Sequence, residues 1–164
     1  MGRPDPFRVL FVCLGNICRS PTAEGVMRSL VDRAALQDEV MLDSAGTGAW
    51  HVSSPPDARA TAAARGRGTV LEGSARQVTG DDFEDFDLLL AMDRANLREL
   101  RQLAADSEQR AKVRMLREFD PASTGDLDVP DPYYGGDGGF EEVYDLVHTA
   151  CTGLLERIQA GELG

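Results

Sequence analysis

The chain has 164 residues, of which 42% are hydrophobic, and it carries a formal net charge of −11 at pH 7. This length suits a single domain over residues 1–164, because hydrophobic cores divide only above roughly 250 residues. The composition excludes intrinsic disorder, and the acidic balance excludes the basic surface that a nucleic-acid partner requires. Residues 1–6, which include two prolines, are expected to form a flexible N-terminal segment.

The apolar run at 9–14 is too short for a signal peptide or a membrane span. The three cysteines are an odd number in a chain long enough to bury its own core, so we expect thiols rather than a disulfide framework. Both features predict a cytoplasmic protein with no membrane insertion. Export without a recognisable signal stays open.

The first predicted elements are a strand, a tight loop and a helix. Residues 8–12 form a short continuous apolar run, which is typical of a strand covered on both faces. Small and apolar residues then recur with helical spacing from near residue 20. Ser20 is a suitable helix cap and Pro21 suits the first helical position.

Further strands and helices alternate along the rest of the chain. Asp93 is a suitable cap for the helix that follows it. This alternation predicts an α/β fold of three layers, in which helices flank a four-stranded parallel sheet on both faces and ligands bind beyond the carboxyl ends of the strands. The predicted strands are 40–42, 86–92 and 113–116, and the predicted helices are 56–65, the one after Asp93, and 140–158.

The segment 13–20 combines groups that suit an oxyanion. Cys13 follows the first strand, and Arg19 and Ser20 lie at the predicted helix start. The unpaired N–H groups and the dipole at a helix start bind phosphate-like groups, and arginine can bind two phosphate oxygens at once. The same surroundings stabilise a thiolate. We therefore expect Cys13 to be anionic and to attack the phosphorus of a phosphate monoester, which gives a phosphocysteine.

The string VCLGNICRSP at 12–21 resembles the signature of the low-molecular-weight protein tyrosine phosphatases, most closely the actinobacterial members. The resemblance extends to SAGTGAW at 44–50, FDLLLAMDRANL at 86–97 and DPYYG at 131–135. It implies hydrolysis of phosphotyrosine and small aryl phosphates without a metal or cofactor. The partner it implies is a phosphotyrosine-containing protein in cellular signalling.

The resemblance also implies a role for each residue of the predicted site. Cys13 matches the nucleophile, Arg19 the phosphate clamp and Asp131 the general acid. Ser20 matches the hydroxyl that stabilises the thiolate, and Asn16 matches a residue with a left-handed backbone that Ser44 supports. The implied phosphate-binding loop is Leu14, Gly15, Asn16, Ile17, Cys18, Arg19 and Ser20.

The acid also has a rationale from its surroundings. A phenolate leaving group needs a proton, and a carboxyl group close to a phosphate dianion is expected to hold one. Asp131 lies between Pro130 and Pro132, which favour a rigid, extended backbone. The family's aromatic cleft walls match Trp50, Tyr133 and Tyr134, and their depth implies selectivity for phosphotyrosine.

Some assignments stay open at this stage. Gly73 stands where relatives often have a histidine that bonds to an acidic partner. Asp93 matches an acidic residue of that network, but without the histidine we assign it to helix capping. Cys18 is either a core thiol or a redox partner that forms a reversible disulfide with Cys13. His148 and Cys151 lie one helical turn apart, but they lack the third and fourth ligands that zinc requires.

Three alternatives compete with the phosphatase assignment. Thioredoxin-linked arsenate reductases share the loop but need two more cysteines about seventy residues downstream, and none lies between Cys18 and Cys151. Protein-arginine phosphatases usually have threonine at the position of Ile17. A phosphotyrosine-binding module requires neither Cys13 nor Asp131. A regulatory kinase acting on Tyr133 or Tyr134, and a monomer or weak dimer, are further predictions.

Overall fold

The computed structural model describes residues 5–123, 125–133 and 138–163. Its strands form one parallel four-stranded sheet, which confirms the predicted α/β class. Residues 1–4 of the predicted flexible segment lie outside the described residues. The strands are β1 (Phe7–Cys13), β2 (Val40–Gly46), β3 (Leu88–Ala91) and β4 (Val113–Met115), and their order in the sheet is β2-β1-β3-β4.

Helices and a 3-10 helix connect these strands. The short helices Asp82–Asp85 and Ser107–Ala111 and the 3-10 helix Leu116–Phe119 were not predicted, because four or five residues carry too little periodicity to be recognised. No described helix is long and apolar enough to cross a membrane. The helices are α1 (Arg19–Arg33), α2 (Ala58–Arg65), α3 (Asp82–Asp85), α4 (Arg94–Leu103), α5 (Ser107–Ala111) and α6 (Gly138–Gln159), and the 3-10 helix is Leu116–Phe119.

The start of α1 differs from the prediction. The N-cap is Cys18, which makes no side-chain capping hydrogen bond, and the helix begins at Arg19. The predicted cap, Ser20, is already helical because its hydroxyl is engaged by Cys13 and Asn16 instead. The first N–H groups of α1 are therefore left without a capping side chain, as an anion-binding helix start requires.

The sheet separates two apolar cores because successive side chains of a strand point to opposite faces. Phe7, Val9, Phe11 and Cys13 of β1 pack on the face covered by α1, α2 and α6. Leu10 and Val12 pack on the opposite face with the residues of α4. β1 is thereby fixed from both sides, and its last residue is held at the carboxyl edge of the sheet.

The carboxyl ends of the central strands come together at one edge. Cys13 pairs with Gly46, so β2 extends beyond its predicted end at residue 42. Asp93 follows β3 and caps α4, as predicted, by accepting a hydrogen bond from the Asn96 N–H at 2.8 Å. The loops that leave this edge surround the segment 13–20.

Candidate active site

The loop between β1 and α1 contains a residue in the left-handed backbone conformation, which asparagine adopts more readily than most residues. Asn16 has a φ of 57°, the left-handed conformation that the sequence predicted, and it is 3% exposed. Its side-chain amide donates to the hydroxyls of Ser20 at 2.8 Å and Ser44 at 3.0 Å. Its side-chain oxygen accepts from the Arg76 N–H at 3.0 Å. These three bonds hold the left-handed residue in place.

The sulfur of Cys13 receives hydrogen bonds from the loop that it begins. The Asn16 N–H donates to the sulfur at 3.3 Å, and the Ser20 hydroxyl lies 3.0 Å from it. The Ser20 hydroxyl accepts the Asn16 amide, so its own proton can go to the sulfur or to the Ala45 carbonyl at 3.5 Å, and the sulfur is the nearer acceptor. The side chain is buried at the start of α1, so these donors stabilise a negative charge on sulfur.

Arg19 is buried and bound from two sides. Its Nη1 donates to Asp93 at 2.7 Å and to the Val129 carbonyl at 3.0 Å. Burial alone would lower the pKa of Arg19, but the negative charges of Cys13, Asp93 and Asp131 raise it overall. The guanidinium therefore keeps its charge, and its Nη2 group, which lies 3.5 Å from Asp131, can also donate to a phosphate oxygen.

Asp93 has a second partner that the sequence did not reveal. One of its carboxylate oxygens caps α4, as predicted, and the other pairs with Arg19. The assignment to capping alone was thus incomplete. The position of Asp93 directly after a buried strand was the available signal, since that edge of a parallel sheet is where sites form.

Asp131 lies across the site from the phosphate-binding loop. Its carboxylate is 38% exposed and lies 3.5 Å from Arg19 Nη2. Its other oxygen accepts the Tyr133 N–H at 3.1 Å, which fixes the turn between them. The structure thus brings Cys13, Arg19 and Asp131 to one place, as the sequence predicted.

These groups line a cavity of about 390 Å³. Trp50, a predicted wall, lies at its mouth with 75% of its surface exposed. The predicted wall residue Tyr133 is half-buried, whereas Tyr134 lies outside the described residues. The lining residues are Cys13, Leu14, Gly15, Ile17, Cys18, Arg19, Trp50, His51, Asp131 and Tyr133.

Glycine at two positions allows close contacts at this mouth, one between the loop and the 46–54 segment and one within that segment. A Cβ on Gly15 would lie 3.0 Å from His51, and a Cβ on Gly48 would lie 1.9 Å from the Trp50 ring. His51 was not predicted as a cleft residue, although its ring centroid lies 6.0 Å from that of Tyr133. At the mouth of the cavity, the rings of His51 and Trp50 therefore pack against the backbone of Gly15 and Gly48.

The chain has glycine at position 73, and an acidic contact elsewhere supports the loop. Gly73 has a φ of 86° with open space around its Cα. The Ser44 hydroxyl donates to Glu24 at 2.6 Å, and Glu24 pairs with Arg28 at 2.7 Å. Ser44, which was predicted to support Asn16, thus connects Asn16 to Glu24 of α1 by hydrogen bonds.

The remaining thiols are shielded. Cys18 and Cys151 are buried and free, as is Cys13. Burial first, and then the charges of Asp57, Cys13 and Asp131, raise the pKa of Cys18 to about 12. Within the described ranges, no three His, Cys, Asp or Glu side chains are grouped so that they could hold a metal ion.

Comparisons with known proteins agree with this geometry. The model of the family described as low molecular weight phosphotyrosine protein phosphatase matches residues 8–162. A low molecular weight protein-tyrosine-phosphatase of Streptomyces coelicolor is 51% identical over 93% of this chain and 94% of its own.

Solved structures show the same similarity. A protein tyrosine phosphatase from Entamoeba histolytica, with Hepes in its active site, superposes with a TM-score of 0.91 at 36% identity, covering 95% of this chain and 99% of that one. A Drosophila arginine phosphatase superposes with a TM-score of 0.85 at 35% identity, covering 92% and 97%.

Proposed function

Since the chain belongs to the low molecular weight phosphotyrosine protein phosphatase family, we propose that Cys13, Arg19 and Asp131 carry out its reaction. The chain is a cysteine-dependent protein tyrosine phosphatase that acts through a phosphocysteine intermediate. The observation that supports the residue assignment is the convergence of a hydrogen-bonded sulfur, a buried guanidinium and a carboxyl group on one cavity.

In the first step, the loop binds the phosphate dianion at the start of α1 while Arg19 Nη2 holds one of its oxygens. The Cys13 thiolate attacks phosphorus in line, so an S–P bond forms as the P–O bond to the phenol breaks. Asp131 delivers its proton to the departing phenolate oxygen. The free phenol leaves, and Asp131 becomes a carboxylate.

In the second step, water attacks the phosphocysteine. The Asp131 carboxylate accepts a proton from the water as the new P–O bond forms and the S–P bond breaks. The sulfur leaves as a thiolate, which the Asn16 N–H at 3.3 Å and the Ser20 hydroxyl at 3.0 Å stabilise. Inorganic phosphate then dissociates, and Asp131 is protonated again.

The mouth of the cavity supports the selectivity for aryl esters. Trp50, His51 and Tyr133 surround the route to the buried sulfur. A phenyl ring can pass between these aromatic side chains and bring its phosphate to Cys13, whereas a phosphoserine side chain is shorter. We therefore assign Trp50 and Tyr133 to substrate contacts. The same role for Tyr134, which lies outside the described residues, rests on the family resemblance alone.

The acid assignment is tested by kcat/KM for two esters, phenyl phosphate and p-nitrophenyl phosphate. Asp131→Ala should lower kcat/KM for phenyl phosphate roughly 10²- to 10⁴-fold, because phenolate is the poorer leaving group and needs the proton. The loss for p-nitrophenyl phosphate should be much smaller. The matched control is Asp128→Ala, since Asp128 is a carboxylate of the same segment that contacts Arg94 instead of Arg19. Equal losses for both esters in Asp131→Ala would contradict the assignment.

Phosphoarginine is the competing substrate, because an arginine phosphatase shares this fold at 35% identity. The apolar side chain of Ile17 lines the cavity and is 8% exposed, and it offers no hydroxyl to a guanidinium group. Hydrolysis of free phosphotyrosine and phosphoarginine, measured side by side, distinguishes the two. We expect phosphotyrosine to be hydrolysed with the higher kcat/KM, and a preference for phosphoarginine would contradict this.

The cellular setting is part of the proposal. A reducing cytoplasm suits three free thiols, one of which must stay reduced for the reaction. We propose that the enzyme acts there on phosphotyrosine-containing proteins in signalling, as a monomer or weak dimer. Phosphorylation of Tyr133 or Tyr134 by a kinase is the proposed regulation, and at Tyr133 it would place charge at the cavity mouth.

A further inference from the structure

The segment that carries Asp131, the proposed acid, is held by hydrogen bonds at its buried residue Val129. Val129 is fully buried, donates its N–H to the Met92 carbonyl at 2.7 Å and accepts Arg19 at 3.0 Å. Asp131, two residues later, is 38% exposed, and its contact with Arg19 is 3.5 Å long. A carboxyl group that must reach a leaving-group oxygen therefore depends on whatever fixes the outer side of its segment.

Arg59 of α2 contacts that outer side. Its Nη1 donates to the Tyr133 carbonyl at 3.2 Å, and its guanidinium carbon lies 5.3 Å from the centre of the Tyr133 ring. Tyr133 in turn donates its N–H to Asp131. Pro132 between them restricts the backbone, so a displacement of Tyr133 is transmitted to Asp131.

Arg59 is itself fixed by two bonds to one carboxylate. Its Nε and Nη2 donate to the two oxygens of Asp57 at 3.1 and 3.0 Å. The Asp57 N–H donates to the Ile17 carbonyl at 2.8 Å, within the phosphate-binding loop. Asp57 is only 12% exposed and also caps α2, so this side of the contact is rigid.

A second aromatic ring completes the contact. The guanidinium carbon of Arg59 lies 4.7 Å from the centre of the Phe140 ring, which is buried in the first turn of α6. Arginine can stack on rings while its edge donates fixed hydrogen bonds, and lysine cannot do both. Arg59 thus joins the phosphate-binding loop, the segment 130–133 and α6.

We propose that Arg59 is a positioning residue that sets the distance between Asp131 and the phosphate-binding loop. It acts through Asp131 and does not touch the reacting atoms. The inference rests on the proposed function, because it assumes that Asp131 is the acid. A displacement of about 1 Å at a reacting group can cost as much as 10²-fold in rate, so the effect is measurable.

The test compares kcat/KM for phenyl phosphate and p-nitrophenyl phosphate in Arg59→Ala and Arg59→Lys. We expect Arg59→Ala to lower kcat/KM for phenyl phosphate about tenfold and to leave p-nitrophenyl phosphate within about twofold, since a misplaced acid matters most for the poorer leaving group. Arg59→Lys keeps the charge but loses the two-point bond, so it should resemble Arg59→Ala. Full recovery with lysine would overturn the proposal.

A double-mutant cycle separates positioning from a general structural effect. With Asp131 already replaced by alanine, Arg59→Ala should change kcat/KM for phenyl phosphate less than twofold, because no acid is left to position. An unchanged tenfold loss in that background would overturn the proposal.

Arg67 provides a matched control. It also stacks on a tyrosine, with its guanidinium carbon 4.9 Å from the centre of the Tyr144 ring, and pairs with Asp145 at 2.8 Å. Its side chain is 40% exposed, compared with 45% for Arg59. Arg67→Ala should leave both kcat/KM values at those of the parent, and a loss equal to that of Arg59→Ala would overturn the proposal.

Measurements of kcat/KM on the parent and Asp131→Ala enzymes distinguish a failure of the proposed function from a failure of the inference about Arg59. Absence of activity in the parent, or equal losses for both esters in Asp131→Ala, contradicts the proposed function. Normal behaviour of both, with no preferential loss for phenyl phosphate in Arg59→Ala, contradicts the inference about Arg59 alone.

Discussion

The three cysteines of the chain lie in different surroundings although all of them are buried. Burial, followed by the charge of Asp57 and other nearby anions, raises the pKa of Cys18 to about 12, and burial alone raises the pKa of Cys151. Cys13 differs because the Asn16 N–H donates to its sulfur at 3.3 Å and the Ser20 hydroxyl lies 3.0 Å from it, so two donors can stabilise a charge there. The thiolate is the reactive form of cysteine, so the three side chains should differ in reactivity.

At pH 7, iodoacetate should modify one cysteine per chain, namely Cys13. A thiol with a pKa near 12 is almost wholly protonated at neutral pH, so Cys18 should react only when the solution approaches that pH. Peptide mass spectrometry after brief exposure identifies the modified position. Cys13→Ser should abolish the modification, and rapid labelling of Cys18 or Cys151 in that variant would contradict the assignment.

The disulfide between Cys18 and Cys13 stays a prediction. Cys18 follows Cys13 in the same loop, but as a protonated thiol it is a slow nucleophile for the step that would close the bond at neutral pH.

The proximity of residues within one continuous segment was predictable from local patterns. The contacts of Ser44 with Asn16 and of Asp131 with Arg19 were expected only from the family resemblance, and other contacts between distant segments were not predicted. Cys13, Asn16 and Arg19 lie within seven positions, so a strand end and a helix start place them together. The pairing of Arg19 with Asp93 joins positions 74 residues apart, as does the bond from Arg59 to Tyr133. Such contacts depend on the order of the strands, which local patterns do not encode.

At the scale of the elements, the position of α6 depends on a glycine, which has no side chain. Gly153 lies on the buried face of α6, where a Cβ would come within 1.9 Å of the Phe119 carbonyl oxygen. Phe119 ends the 3-10 helix that follows β4. The close approach of α6 to this carbonyl therefore requires glycine.

Gly153→Ala should destabilise the protein by about 1–3 kcal/mol, because the added methyl group overlaps a backbone atom that cannot rotate away. Helix propensity alone predicts the opposite, a gain of about 1 kcal/mol. Urea denaturation measures the difference in the free energy of unfolding.

Gly138→Ala is the matched control for that measurement. Gly138 also belongs to α6 but has open space around it, so this variant should be neutral or slightly more stable than the parent. A Gly153→Ala protein as stable as the parent would contradict the packing described here.

The sequence predicted long elements well and their ends less well. The apolar stripe of α6 and the buried runs of β1 and β3 were recognisable because each repeats over several residues. The prediction placed the start of α1 at Pro21 with Ser20 as cap, whereas Cys18 caps the helix without a side-chain bond. The error arose because the hydroxyl of Ser20 serves the site, and local propensity does not account for such competition.

At the scale of the whole molecule, an acidic protein carries a site for anions. The net charge is −11, yet the phosphate-binding loop combines Arg19 with the start of α1. Screening limits surface charges to a range of about 8 Å at physiological salt, so these local groups decide the affinity for phosphate. Both cores share one sheet, which supports the proposal that the chain unfolds as a single domain.

Orthovanadate or inorganic phosphate should therefore raise the midpoint of one cooperative thermal transition. A ligand that binds only the folded state at 100 times its Kd adds about 2.7 kcal/mol of stability. Arg19→Lys should lose most of this gain, because lysine keeps the charge but cannot hold Asp93 and a phosphate oxygen at the same time with two fixed nitrogens. Differential scanning calorimetry checks both points. Two separate transitions, or an equal gain in Arg19→Lys, would contradict the account.

The central claim is that the sulfur of Cys13 becomes covalently bound to phosphorus during turnover. The most direct measurement is peptide mass spectrometry of the enzyme after rapid denaturation during hydrolysis of p-nitrophenyl phosphate. We expect one phosphoryl group on the peptide that contains Cys13, and neither adduct nor hydrolysis in a folded Cys13→Ser protein. Hydrolysis that persists in Cys13→Ser would contradict the claim. So would a phosphoryl group found on another residue of the parent enzyme during steady turnover.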